Sequence, residues 1–181
     1  MSLPKPWIHA EPELLEDCRV FRVARAPARS PETGEEHTFY RIDADDWVNV
    51  IPVTSRDEIV MVRQYRHGVR ALTLEIPGGI IDPGESPAQA AVRELLEETG
   101  YRGDIPEALG SVSPNPAVFG NRCHSFLIRG AEPVSAIQNS PTEETAVELV
   151  PASALPDLVR EGAIDHALVV AALHAYALRH G

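Results

Sequence analysis

The stretch from Gly78 to Tyr101, GGIIDPGESPAQAAVRELLEETGY, constrains this chain more than any other, because it holds a helix start, a helix stop and a stripe of acids in one short segment. Pro83-Gly84 marks a turn. Ser86 is a good N-cap, Pro87 suits the first helical position, and Gln89 completes a Ser-x-x-Gln capping box. Gly100 is the natural residue to end the helix. The expected helix therefore starts at Pro87 and runs for about three and a half turns.

At about 100° per residue, Glu97, Glu94 and Glu98 fall at about −60°, 0° and +40°, while Ala88, Ala91, Val92, Leu95, Leu96 and Thr99 occupy about +60° to +200°. One face is acidic and the other apolar. Acids in a last turn oppose the helix dipole, so the helix alone gives a poor reason for Glu97-Glu98. A bound hard cation gives one, since such ions take oxygen ligands. Arg93 and Glu97 form an i,i+4 pair that can be held bidentately.

Around this segment the chain reads as short strands. Cys18 to Ala24 and His37 to Ile42 are expected to form a hairpin around the loop Pro27 to Glu36. Residues 1–17 carry no periodic signal beyond Trp7-Ile8. Trp47 to Thr54, Glu58 to Gln64 and Leu72 to Ile76 are rich in Val, Ile and Leu, as a core sheet needs. Ala108 to Ser113 and Arg122 to Ile128 flank the loop SPNPAVFGN. The polar loop Gln138 to Thr145 precedes a strand at Ala146 to Val150. A short helix from about Ser153 and a longer one over Ile164 to Arg179 complete the chain. Strands and helices in this succession make an α/β chain. We divide the chain into an N-terminal β extension, 1–44, and a main domain, 45–181.

Charge and cysteine content narrow the function classes. Sixteen basic and 27 acidic residues give a net charge of −11. Such a surface repels a nucleic-acid backbone, whereas an anionic small substrate remains compatible once a metal inverts the local field. Cys18 and Cys123 are too few for a disulfide framework and read as reduced thiols. The longest strongly apolar run, Ala167 to Leu173, is far short of a membrane span, and the N-terminus has no signal-peptide core, so a cytoplasmic protein is expected. His67 and His124 lie nearest the acidic helix in sequence terms, while His166, His174 and His180 show no metal-ligand spacing.

Gly79, Glu85, Arg93-Glu94-Leu95, Glu97-Glu98 and Gly100 stand at the spacing of the Nudix box, and the chain resembles the Nudix hydrolases. With residue usage near ~7%, a match at eight positions arises by chance about once in ~10⁹ windows. Tyr101 stands where that family usually has an aliphatic residue. The flanks WVNVIPVT, VRQYRHG and LEIPGGIIDPGESP are similar to the subgroup that cleaves ADP-ribose and other nucleoside diphosphate sugars. The resemblance implies a Nudix fold, an α/β/α sandwich with a mixed β-sheet, and Mg²⁺-dependent hydrolysis (Mn²⁺ as substitute) of the diphosphate to a nucleoside monophosphate and a sugar phosphate. It makes Glu94, Glu97, Glu98 and the Gly78 carbonyl metal ligands, with Arg93 bracing Glu85 and Glu97. By the match of Glu-Glu-Thr-Ala-Val, Glu143 is the first choice for general base and Glu144 the second. Arg66 matches a phosphate-contacting position. Phe21, Tyr40 or Trp47 would stack on the base, and the 18–42 hairpin would cross to the partner of a homodimer. The segment Ser113-Pro114-Asn115-Pro116-Ala117 departs from the Ser-Pro-Gly-Phe type of ADP-ribose specialists, which leaves the sugar open. Two other readings stand beside this one: a Nudix enzyme for oxidised nucleoside triphosphates or capped RNA, and a non-catalytic nucleotide-sugar sensor.

Overall fold

Val48, Val50 and Ile51 on one strand and Ile59 to Val62 on another have almost no exposure, as β-branched residues packed on both sides of a sheet require. A computed structural model describes residues 3–140 and 143–180. The chain forms two units. One is built on residues up to Asp45 together with Ser113–Asn121, and the other on Asp46–Val112 and Arg122 onward.

In the first unit, β1 (Ile8–His9), β2 (Glu13–Asp17), β3 (Arg22–Arg29) and β4 (Glu36–Asp43) form an antiparallel sheet with β3 at its centre. The hairpin is present, but its first strand begins at Arg22, not Cys18, and continues through Pro27 to Arg29. The reason is local: the Cys18 N–H donates to the Phe21 carbonyl at 2.9 Å, and Arg19 adopts φ 69°, so Cys18 to Phe21 is a turn that sequence alternation alone does not reveal. Residues 8–9 and 13–17 are strands as well, where prolines at 4, 6 and 12 hide any period. The 113–121 loop belongs to this unit, held by a parallel bridge between Ile42 and Phe119.

The second unit contains β5 (Trp47–Pro52), β6 (Glu58–Arg66), β7 (Ala71–Glu75), β8 (Gly78–Ile80), α1 (Pro87–Thr99), β9 (Tyr101–Arg102), β10 (Glu107–Val112), β11 (Cys123–Ile128), β12 (Glu132–Pro133) and β13 (Thr145–Pro151). A 3₁₀ turn at Ala152–Ala154, α2 (Leu155–Arg160) and α3 (Ala167–His180) follow. β10, β11, β5 and β8 form a mixed sheet in which β11 and β5 run parallel. β13, β6 and β7 form an antiparallel one. Val48 and Val50 pack with Ala90, Ala91 and Leu95 of α1. Ile51 packs with Val169, Ala172 and Leu173 of α3. Helices thus cover both faces of β5, and alternation along one strand sets the α/β/α layering.

The last helix starts at Ala167, three residues later than the apolar spacing suggests. Ile164 is buried ahead of it, its N–H bound to the Leu158 carbonyl at 3.1 Å. The short strands β8, β9 and β12 were not expected either, since two or three residues carry no readable period.

Candidate active site

The helix α1 forms as its sequence dictates. Ser86 and Gln89 complete the capping box, Pro87 opens the helix, and Gly100 ends it at φ 73°. Packing of Ala90, Ala91 and Leu95 against Val48 and Val50 fixes the rotation of the helix, and so the direction of its acids. Glu98 points inward and is 4% exposed. Its Oε2 accepts the Gly78 N–H at 2.9 Å. Burial pushes the Glu98 carboxyl up to about 8, opposed by that N–H. Glu94 is also raised by burial, with Arg93 opposing.

Arg93 organises the acids. Its Nε donates to Glu85 Oε1 at 3.1 Å, its Nη1 to Glu94 Oε1 at 2.8 Å and Glu97 Oε2 at 3.1 Å, and its Nη2 to Glu85 Oε2 at 2.9 Å and the Ile80 carbonyl at 3.0 Å. Each of the five guanidinium N–H groups has a partner. The Arg93 hydrogen bonds hold Glu85 below the usual carboxylate range. The contact to Glu94 adds to the Glu85 and Glu97 brace expected from sequence.

The two glycines ahead of the helix are there for space. A Cβ on Gly78 would lie 2.2 Å from the Val48 carbonyl oxygen, and one on Gly79 would lie 2.3 Å from Glu94 Oε1. The acid and the loop can meet only because the side chain is missing.

Among the described residues no three His, Cys, Asp or Glu side chains already converge as a metal-holding group. The reason is visible in the bonds: Glu94 and Glu97 are drawn to Arg93, and Glu98 to the Gly78 N–H. The donor set nevertheless fits a hard divalent cation, since it consists of carboxylate oxygens beside the Gly79 cradle and two of the three acids lose hydration by burial. Glu97 is the most exposed of them, with 44% of its side chain accessible.

The later loop is fastened to the end of α1. The Gln138 N–H donates to the Glu97 carbonyl at 2.8 Å, and the Thr145 hydroxyl to the Glu98 carbonyl at 2.7 Å, which satisfies helix carbonyls that lack internal partners. Glu143 is exposed, accepts the Ser140 hydroxyl at 2.8 Å, and lies close enough that its charge raises both Glu94 and Glu98. Glu144 is exposed. Pro141 and Thr142 of the same loop lie outside the described residues.

Arg66, at the end of β6, donates from Nε to Glu75 Oε1 at 2.8 Å and from Nη2 to Glu75 Oε2 at 2.7 Å. Burial pushes Glu75 up, but the Arg66 bonds prevail and its carboxyl stays below the ordinary value. Sequence reasoning missed Glu75. Its only signal was an acid alone among apolar residues at Leu72 to Ile76.

Trp47 is half-buried on β5, opposite Ile80 and Cys123. Phe21 and Tyr40 belong to the first unit, where Phe21 is half-buried and Tyr40 exposed. His124 has a partner that sequence did not supply, Asp46 Oδ2 at 2.8 Å from Nε2. Burial pushes the Cys123 thiol up to about 12, leaving it unreactive.

The NUDIX domain family matches residues 45–173. The chain belongs to the Nudix family. Nudix hydrolases use divalent metal ions. The ADP-sugar pyrophosphatase of Mus musculus is 34% identical to this Nudix chain over 148 residues, covering 75% of this chain and 67% of the relative. The ADP-ribose pyrophosphatase of Bacillus subtilis (strain 168) is 35% identical over 91 residues, 50% of this chain and 48% of the relative. The crystal structure of an ADP compounds hydrolase shares the fold with a TM-score of 0.86 at 24% identity, covering 98% of this chain and 95% of that one.

Proposed function

We propose that this Nudix protein hydrolyses the diphosphate linkage of nucleoside diphosphate sugars, ADP-sugars first, to a nucleoside monophosphate and a sugar phosphate. The observation that carries the reading is the gathering of Glu85, Glu94 and Glu97 on one saturated arginine beside the buried Glu98. The names of the mouse and Bacillus relatives support the substrate class.

Glu94, Glu97, Glu98 and the Gly78 carbonyl would hold Mg²⁺, which supplies charge neutralisation at the diphosphate and a bound water of lowered pKa. Arg93 keeps the acids together. Arg66 binds a phosphoryl oxygen through the donors that Glu75 leaves unused. Glu143 accepts the proton of the attacking water, because the acids of the Nudix box are committed to the cation and to Arg93. Glu144 is the second choice for that role. One of Trp47, Phe21 and Tyr40 is the aromatic we assign to the base.

The protein acts as a homodimer in the cytoplasm. Trp7, Ile8, Phe39 and Tyr40 expose apolar surface on the first unit, which a second copy would cover. No helix among the described residues is long and apolar enough to cross a membrane. We take residues 1–44 as the dimerisation element and 45–181 as the catalytic domain.

A turnover panel of nucleotide sugars with Mg²⁺, products identified by mass, tests the reaction. Cleavage to two monophosphates is expected, with activity lost in chelator and restored by Mg²⁺ or Mn²⁺. Preferential turnover of oxidised nucleoside triphosphates or capped RNA would move the substrate class, and tight binding without turnover would make the protein a sensor. Light scattering that gives a mass near 19.7 kDa would remove the dimer.

A further inference from the structure

One face of the β13-β6-β7 sheet is polar toward the end of β6. Residues paired across antiparallel strands project to the same side. Val62 therefore stands opposite Glu75 and Val147, Gln64 opposite Thr73 and Thr145, and Arg66 opposite Ala71. The face changes from apolar to amide and hydroxyl, and then to a guanidinium.

Glu75 is the anomaly on it. Its side chain is 3% exposed, at a depth where an ion is tolerated only with a partner in good geometry. Arg66 supplies two parallel bonds, and the Thr73 hydroxyl lies 2.7 Å from Glu75 Oε1. The carboxylate is therefore fixed from two sides, and it fixes the arginine in turn. Arg66 itself remains 42% exposed, and its charge reaches both Glu98 and Glu143.

The donor count separates this pair from a simple structural ion pair. A guanidinium has five N–H groups. Glu75 takes Nε–H and one Nη2–H, which leaves both Nη1 hydrogens and the other Nη2 hydrogen. An exposed arginine would lose rotamer freedom on binding an anion, and one already held would lose little.

We propose that Glu75, assisted by Thr73, is a positioning residue that holds the outer donors of Arg66 toward the diphosphate oxygens of the substrate. Glu75 touches no substrate and acts only through Arg66. The identity of the substrate rests on the hydrolase reading above; the coupling between the two residues does not.

The test is a double-mutant cycle. Arg66→Ala should raise KM about 10²-fold or more. Glu75→Gln, which keeps the shape but places an amide against the guanidinium, should raise KM about 10-fold with kcat within a few-fold of wild type. In the Arg66→Ala background Glu75→Gln should have no further effect on KM. Thr73→Val, which removes only the hydroxyl, should give a smaller rise of a few-fold and serves as the reporter should Glu75→Gln fail to fold. A lowered melting temperature with unchanged KM in the folded variants would overturn the proposal, as would additive losses in the cycle.

Calorimetric titration with inorganic pyrophosphate and Mg²⁺ reads the same coupling without turnover. Weaker binding by about 10-fold in Glu75→Gln supports it. Equal affinity in wild type and variant, or no binding to wild type, overturns it. Absence of turnover with pyrophosphate binding still dependent on Glu75 would sink the hydrolase reading alone.

Discussion

Two arginines in this protein each hold carboxylates, and they differ in what remains of them afterwards. Arg93, on α1, gives all five N–H groups to Glu85, Glu94, Glu97 and the Ile80 carbonyl. Arg66, at the end of β6, gives only part of its fork to Glu75. The first arginine serves its acids; in the second, the acid serves the arginine. A saturated guanidinium can shape a site but has no donor for a ligand, whereas a half-used one can do both.

The largest expected effect concerns an acid inside that arrangement that Arg93 does not hold. Glu98→Gln keeps the acceptor for the Gly78 N–H and loses the charge. It should lower kcat by roughly three decades or more in Mg²⁺, with circular dichroism unchanged. A rate within a few-fold of wild type would reduce the acidic stripe to a solvated face. Next, Glu143→Gln should lower kcat about 10²–10⁴-fold with KM and metal affinity nearly unchanged. A silent Glu143→Gln with a crippled Glu144→Gln would move the base by one residue.

The two arginines themselves are compared by lysine substitution. Lysine has three donors on one nitrogen and cannot reproduce a fork. Arg93→Lys should lose about 1–3 kcal/mol of unfolding free energy along with activity, because one ammonium keeps the charge but cannot reach Glu85, Glu94 and Glu97 together. Arg66→Lys should keep more of that stability while raising KM. Equal stability losses, measured by denaturant unfolding, would dissolve the distinction.

The smallest effect is one of pH. A carboxyl whose folded-state value lies above its unfolded one binds more protons when folded, so stability declines as pH rises through that interval. For Glu98 the interval runs from the ordinary value of 4.5 to about 8. In chelator, wild type should therefore weaken between these limits, and Glu98→Gln should be the more stable of the two at pH 8, by roughly a few kcal/mol. The difference should close near pH 4. A wild-type melting temperature that rises over this range in chelator would contradict the buried, proton-binding Glu98.

What could be read from the sequence was what lies close together along it. Ser86, Pro87, Gln89 and Gly100 act within one helix, so its start and stop were legible, and so was the acidic face. Arg93 to Glu97 was legible as an i,i+4 pair. The Glu94 contact was not, because adjacent helix residues do not ordinarily face each other, and only the length of the arginine lets it reach. Glu75 was hidden for a different reason: its partner is set by the β6–β7 register, which alternation along either strand does not specify. The N-terminal strands were obscured by prolines and by the left-handed turn residue Arg19. The family and fold were legible because the Nudix box is a local pattern. Which residues of the 138–145 loop act on substrate depends on placement in space.

The fastening of that loop bears on how the proposed base works. Gln138 and Thr145 are both tied to the last turn of α1. Glu143 is two residues from the second tie, so its Cα stays within about 7 Å of Thr145 whatever the loop does. Such a leash turns the proton acceptor into a reagent at high local concentration: a group confined to a sphere of that radius is present at roughly molar level, far above what free carboxylate in solution would supply. Lengthening the segment between Glu143 and Thr145 would dilute the base without altering any contact, and the reaction should slow with the volume it is allowed to explore.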